Sequence, residues 1–138
     1  MSAETATRVS HVVLDSKTGY ACTLHARRHT LTADEPRSSG GTDTGPAPYD
    51  LLLSALGACT AITLRMVAER KSWELGEIHV DLELHKDPTT KADKILRVVT
   101  FSAPLNAEQR AKIAEVVERT PVTKTVKAGA VIETTLRP

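Results

Sequence analysis

Two cysteines, Cys22 and Cys59, are the residues of this chain with the most distinctive chemistry. They are too few and too far apart for a secreted disulfide scaffold or a zinc ribbon. A thiolate can act as a nucleophile or a redox centre, and a reactive one needs an electropositive, partly exposed environment. Free cysteine is also often a small buried hydrophobe, so packing is the alternative for both residues.

Two groups of polar residues share the spacing of a strand face and could in principle bind a metal. His25 and His29 lie four positions apart on one predicted strand. A second group alternates along another predicted strand: His79, Asp81, Glu83 and His85. No third histidine or cysteine stands at ligand spacing, and alternating polar residues are typical of a solvated sheet face. We therefore expect no metal and no other cofactor.

Other catalytic and nucleotide-binding motifs are missing from the sequence. The glycines at 40, 41 and 45 have no Gly-Lys-Ser/Thr after them and no suitable strand before them, which argues against a phosphate-binding loop. There is also no Ser-His-Asp signature.

Composition narrows the class of protein further. The chain has 138 residues, a net charge of +1 and four aromatic residues, a length that fits one domain, residues 1–138. The balanced charge and scarce aromatics argue against nucleic-acid binding. Residues 1–10 lack the apolar core of a signal peptide, and the apolar stretch at 51–64 is short for a membrane span. We expect a cytoplasmic protein with reduced thiols and no membrane partner.

Cys22 falls in a region of predicted strands. Residues 12–14 form one strand and residues 20–29 the next, and residues 31–33 could continue the sheet. On the second strand, Cys22 shares a face with Leu24 and Ala26, which favours packing. Residues 34–48 follow as a loop rich in glycine and proline, and loops of this length are usually functional or mobile.

Cys59 falls in the middle of a predicted helix that spans residues 48–71. Pro48 suits the first helical position, and Asp50 complements the helix dipole in the first turn. The first half of the helix is apolar on nearly all sides. A helix of this kind is buried on all sides, either in the middle of the molecule or at an interface. No charged residue lies near Cys59 in this helix, so an activating partner must come from elsewhere.

The remaining elements complete an α+β pattern. Strands over residues 78–84 and 94–101 form a predicted hairpin. A helix begins after Asn106, with Gln109 completing a capping box. Thr120 caps a second short helix that ends at Gly129, and residues 131–136 are predicted as a closing strand. The predicted order is β-β-(β)-α-β-β-α-α-β.

The loop and the helix carry a long motif that resembles the OsmC/Ohr family. The run ends in the residues around Cys59, and the resemblance extends over nearly the whole chain. The matching residues are Asp34-Glu35-Pro36, Gly40-Gly41-Thr42-Asp43-Thr44-Gly45-Pro46-Ala47-Pro48-Tyr49-Asp50-Leu51-Leu52-Leu53 and Ala55-Leu56-Gly57-Ala58-Cys59-Thr60. The resemblance implies an OsmC-like α+β fold, with antiparallel sheets wrapped around two central helices in an intertwined homodimer.

The resemblance also implies a chemistry. Better-studied members reduce organic hydroperoxides with a peroxidatic cysteine on the central helix, and Cys59 falls on that position. An arginine and an acidic residue position the thiol in those members. Arg37 in the loop is our candidate for the arginine, with Arg27 or Arg28 as alternatives. The acidic position falls on Tyr49, with Asp50 beside it.

One departure from the family pattern concerns the second cysteine. Where this subgroup has Cys-Pro-Val-His, the chain has Thr120-Pro121-Val122-Thr123. Threonine cannot form a disulfide, so the usual two-cysteine cycle cannot run at this site.

These observations lead to two hypotheses about function. The first is a homodimeric hydroperoxide reductase that acts on a small apolar hydroperoxide, with Cys59, Arg37 and Asp50 in its site. An external thiol, or Cys22, resolves the oxidised Cys59. The second is a non-catalytic stress-response or small-molecule-binding protein with an apolar pocket at the dimer interface.

Overall fold

The fold contains two antiparallel sheets and three helices in a computed structural model that describes residues 6–138. The predicted α+β class is confirmed. The polar segment 1–10 considered above lies partly outside the described residues. The elements follow in this order: β1 (Val13–Ser16), β2 (Cys22–Ala26), β3 (His29–Ala33), α1 (Pro48–Lys71), β4 (Ile78–Lys86), β5 (Asp93–Phe101), α2 (Ala107–Val117) and α3 (Pro121–Ala128).

The chain divides into two compact units, one up to Leu51 and one from Leu52 onward. The first unit contains a three-stranded sheet in the order β1-β2-β3. The predicted strand over residues 20–29 is wrong in length, because β2 ends at Ala26 and the chain turns back through Arg27, whose φ is 53°. Ala26 then pairs with His29 at the start of β3.

The tight turn also separates two histidines that were expected to share a face. His29 pairs with Ala26, whereas His25 pairs with Thr30. Since neighbouring residues of a strand point to opposite faces, His25 and His29 lie on opposite faces of the sheet. The prediction that they share one face is wrong, because the chain reverses between them.

In the second unit, α1, α2 and the β4–β5 hairpin meet in one core. The buried apolar side chains of this core are Leu64, Ala68, Leu75 and Ile113. The hairpin pairs in continuous register from Ile78↔Phe101 to Lys86↔Asp93. One face of β4 is half-buried and the other is exposed, as the alternation predicted. The exposed face carries His79, Asp81, Glu83 and His85.

Helix α1 has the predicted bounds but not the predicted burial. Leu56, Thr60, Leu64 and Val67 form its buried stripe. Its other side is open, as the 54% exposure of Ile62 shows. The prediction that the helix is buried on all sides is wrong for the single chain, because neighbouring elements cover only one side of it.

The apolar part of α1 is longer than the stretch counted from the sequence. By length and composition, the helix is long enough to cross a membrane, with a mean hydropathy of 1.8 over its most apolar window. The core helix of a soluble protein has the same properties. Here Leu64 is fully buried in the core of the second unit, so the feature is also explained by packing.

In the C-terminal part of the chain, the predicted helix caps are confirmed and the predicted closing strand is wrong. Asn106 caps α2 in a full capping box with Gln109, and Thr120 caps α3, as expected. Residues 131–136 do not form the predicted closing strand. A strand needs a hydrogen-bonded partner, and β4 pairs only with β5 in the described part of the second unit.

Candidate functional site

Cys59 is half-buried in the middle of α1, beside the buried stripe of the helix. Its Sγ lies 4.0 Å from the Oγ1 of Thr63, one turn further along the same face. Both cysteines are free thiols. A peroxide must reach the sulfur atom, so partial exposure is compatible with the predicted role.

A largely buried arginine that sequence reasoning missed lies next to this segment of α1. Arg97 comes from β5, and only 12% of its side chain is exposed. Its guanidinium donates to the hydroxyl of Thr60 at 3.0 Å, to the hydroxyl of Thr123 at 2.9 Å and to the carbonyl of Val117 at 2.9 Å. Glu118 is its nearest carboxylate, at 3.9 Å. The cation is therefore held mainly by neutral oxygens.

The sequence contains a signal that could have revealed Arg97. In β5 it shares a face with three half-buried apolar residues, Ile95, Val99 and Phe101. A charge on the inward face of a strand is rarely left unpaired, because burying a charge without partners is costly. An arginine in that register predicts a set of buried acceptors on the elements packed against the strand.

The position expected for a resolving cysteine is part of the same polar cluster. Thr120 is 1% exposed, and its hydroxyl lies 2.6 Å from that of Thr123. Thr123 in turn accepts from Arg97. Thr120 and Thr123 are therefore both engaged in buried hydrogen bonds, and Thr120 also caps α3.

The other two predicted site residues belong to the first unit. Arg37 is exposed and begins a short 3-10 helix, Arg37–Ser39, within the loop. Asp50 is exposed in the first turn of α1, where its carboxylate accepts from the backbone N–H of Ala47 at 2.9 Å. Asp50 thus lies in the first turn of α1, as predicted, and additionally accepts a hydrogen bond there. Cys59 lies in the second unit, beyond the division at Leu51.

Cys22 begins β2 in the first unit and is half-buried. Its Sγ donates a weak hydrogen bond to the carbonyl of Tyr20 at 3.5 Å. It pairs with Ser16 on one side and Ala33 on the other. These surroundings agree with the packing interpretation of this thiol.

The loop of the motif is organised by a residue that the sequence analysis did not single out. Asp34 is 2% exposed and accepts hydrogen bonds from Glu35, Thr42 and Thr44. Both threonines donate through the hydroxyl and the backbone N–H. These donors, the hydroxyl of Thr42 first, hold the pKa of the Asp34 carboxyl far below its usual range. The aspartate is therefore a structural anion.

Two glycines of the motif are explained by the same loop. A Cβ at Gly41 would lie 2.0 Å from the carbonyl oxygen of Glu35, and one at Gly45 would lie 2.1 Å from that of Thr32. Backbone atoms cannot move aside as the end of a side chain can, so only glycine fits at both positions. The two glycines of the motif thus have a steric basis in this chain.

Metal binding finds no support among residues 6–138, where no three His, Cys, Asp or Glu side chains are grouped as ligands would be. The histidine on β4 that has a charged partner, His85, lies 3.2 Å from Glu83 on the solvated face.

The comparisons with known proteins agree with the fold. The OsmC-like protein family model matches residues 41–135, which is more than half of the chain. No curated protein is similar enough in sequence to count as a relative.

Solved structures resemble the chain over most of its length. An OsmC-like protein from Mycoplasma pneumoniae has a TM-score of 0.76 at 16% identity, covering 90% of this chain and 91% of that one. A putative osmotic stress induced and detoxification response protein from Psychrobacter arcticus has a TM-score of 0.75 at 13% identity. The match covers 88% of this chain and 90% of that one. The organic hydroperoxide resistance protein OhrB of Bacillus subtilis has a TM-score of 0.60 at 23% identity. The match covers 90% of this chain and 94% of that one. At these identities the likeness concerns the fold, whereas the family model covers the sequence itself, and so the chain belongs to the OsmC-like protein family.

Proposed function

We propose that this protein reduces organic hydroperoxides with Cys59 as the peroxidatic thiol. The observation that carries the proposal is the half-buried Cys59 within the family motif on α1. Similar folds occur in OhrB of Bacillus subtilis and in a Legionella pneumophila protein that is also described as an organic hydroperoxide resistance protein. Family membership supports a role in the response to oxidative stress.

The proposed cycle begins when the Cys59 thiolate attacks the outer oxygen of the hydroperoxide. The O–O bond breaks, the alkoxide takes a proton and leaves as an alcohol, and the sulfur becomes a sulfenic acid. An external thiol then condenses with the sulfenic acid and releases water. A second external thiol attacks the mixed disulfide and restores Cys59, so that two thiols are oxidised to one disulfide in each cycle.

The use of an external thiol is supported by the residues at the usual resolving position. Thr120 has no sulfur, and its hydroxyl is engaged in a buried hydrogen bond with Thr123. Cys22 is the alternative resolving thiol, because it is the other cysteine of the sequence.

The remaining features of the site belong to the same proposal. Arg37 is proposed to bring its positive charge to the Cys59 thiolate, with Arg27 and Arg28 as alternatives. Asp50 is proposed to help position the thiol. An exposed arginine in a loop retains the freedom to approach an anionic sulfur. The substrate is proposed to be small and apolar, and the protein to act in the cytoplasm as a homodimer. The open apolar side of α1, with Met66 at 52% exposure, supports the second copy.

Intact-mass measurement after exposure of the reduced protein to cumene hydroperoxide tests the proposal. A gain of one oxygen that dithiothreitol reverses is expected for the one-cysteine route. A loss of two hydrogens would instead indicate a bridge between Cys22 and Cys59. Consumption of the peroxide with dithiothreitol present should continue over many cycles.

Two variants complete the test. Cys59→Ser should abolish both the mass change and peroxide consumption, whereas Cys22→Ser should retain both if the reductant is external. An unchanged mass of the wild-type protein would overturn the enzymatic proposal and favour the binding-protein hypothesis. Oxidation of Cys59 without repeated turnover would contradict the proposed cycle.

A further inference from the structure

A cavity of about 650 Å³ lies in the second unit, where the C-terminal half of α1 meets α2 and α3. We call it the basic pocket, because five of its lining residues carry positive charge. These residues are Arg70, Lys71, Lys112, Arg119 and Lys124. Its volume falls within the range of sites that hold small molecules.

The positive charge of the pocket is largely uncompensated. Arg119 pairs with Glu115, and the ammonium of Lys71 lies 5.5 Å from the centre of the Trp73 ring. Within residues 6–138, no carboxylate lies within 4 Å of the side-chain nitrogens of Arg70, Lys112 or Lys124. The chain as a whole has a net charge of only +1, so this concentration is a local feature.

The rest of the lining combines apolar surface with one hydroxyl. Val67 of α1 and Val116 of α2 are the apolar residues, and Thr63 of α1 is the residue that carries a hydroxyl. The Oγ1 of Thr63 is also the atom that lies 4.0 Å from the Sγ of Cys59. Thr63 is therefore common to the pocket lining and to the surroundings of Cys59, although Cys59 does not line the pocket.

We propose that the basic pocket is a binding site for a small phosphorylated anion. A single carboxylate would neutralise only one of the cations, whereas phosphate groups offer several oxygens to arginine forks and lysine ammonium groups at once. The pocket is open to solvent, and four of its five cations are exposed, but they cluster around one site of small-molecule size, which favours a small anion. A nucleic acid would be expected to use an extended basic surface with stacking aromatics, and the chain has only four aromatic residues.

Calorimetric titration of the full-length reduced protein with inorganic pyrophosphate tests this proposal. Saturable binding should weaken when sodium chloride is raised from low to moderate concentration, because the contacts are ionic. Lys112→Gln and Lys124→Gln should each reduce the affinity about tenfold. Since both changes remove mutual repulsion between like charges, the variants should remain folded, and circular dichroism can verify this.

Lys94→Gln is the matched control, because Lys94 is an exposed cation of β5 outside the pocket. It should bind pyrophosphate as the wild type does. Cys59→Ser should also bind normally, so the result does not depend on peroxidase activity. Absence of binding, or equal weakening by Lys94→Gln and Lys112→Gln, would overturn the assignment. Tighter binding to a DNA oligonucleotide or to anionic vesicles than to pyrophosphate would also overturn it.

Discussion

At the scale of single residues, the motif of this chain contains a structural centre as well as a candidate nucleophile. Cys59 is the candidate nucleophile, whereas Asp34 holds together the loop that precedes the helix. Its carboxylate accepts from two hydroxyls and three backbone N–H groups. Carboxylates with several donors remain ionised to unusually low pH. Thr42 and Thr44 are therefore in the motif for their hydroxyls as well as for their backbone.

Asp34→Asn is expected to destabilise the protein at neutral pH. The pKa of Asp34 is lowered in the folded chain, so its contribution is complete above the pKa of the unfolded chain and is lost as the pH falls below about 4. The difference in urea midpoint between wild type and variant should be large at pH 7 and should shrink in acid. Far-UV circular dichroism can follow the unfolding.

Asp43→Asn is a suitable control for this comparison. Asp43 is exposed in the same loop and has a φ of 54°, which asparagine also tolerates. Its urea midpoint should stay close to that of the wild type at both pH values. A difference between Asp34→Asn and wild type that stays constant down to pH 3 would contradict the electrostatic role.

The same loop shows what can be predicted at this scale. The glycines and prolines identify residues 34–48 as a loop, because their backbone preferences are local. The burial of Asp34 was not predicted, since it depends on donors eight and ten residues away in the chain. Arg37 could be named only from the family resemblance, because an exposed arginine has no sequence pattern that distinguishes it.

At the scale of elements, Arg97 connects β5 to α1, through Thr60, and to Thr123 of α3. Local signals predicted the start of each helix, because a cap such as Asn106 or Thr120 acts within one turn. No local signal predicts which helix a buried guanidinium reaches. The bounds of α3 could therefore be predicted from the sequence, whereas the elements that α3 packs against could be seen only in the structure.

Arg97→Met should destabilise the second unit by about 1–3 kcal/mol, because buried acceptors lose a donor. Urea unfolding followed through the fluorescence of Trp73 reports on this unit, since Trp73 packs against its core. Lys94→Met, at an exposed position of the same strand, should change the stability by less than about 0.5 kcal/mol. Equal effects of the two substitutions would show that the buried hydrogen bonds contribute little.

At the scale of the whole molecule, much apolar surface is open in the single chain. Ile62 and Met66 are more than half exposed on α1. Val131, Ile132 and Leu136 are almost fully exposed after α3. The apolar pattern of residues 131–136 favoured a strand, but a pattern cannot supply the partner that a strand requires. The same reasoning explains why the expected burial of α1 on all sides failed for the chain alone.

A second copy that covers α1 leads to a clear expectation. Wild-type protein should elute as a dimer in size-exclusion chromatography with light scattering, and Ile62→Glu should shift it to the monomer by placing a charge in an apolar interface. Thr89→Glu, in the exposed turn between β4 and β5, is the control and should remain dimeric. A monomeric wild type would contradict the homodimer, and a dimer unaffected by Ile62→Glu would contradict the placement of its interface on α1.

The buried Thr120 also has a consequence for the covalent connectivity of the chain. A disulfide between α1 and the start of α3 would close a loop of about 60 residues and would restrict the unfolded chain by roughly 4 kcal/mol in the loop-entropy model. With threonine at 120 this cross-link cannot form, so oxidation at Cys59 leaves α1 and α3 without a new covalent tie. Exposure to an oxidant therefore adds no covalent cross-link between these two helices.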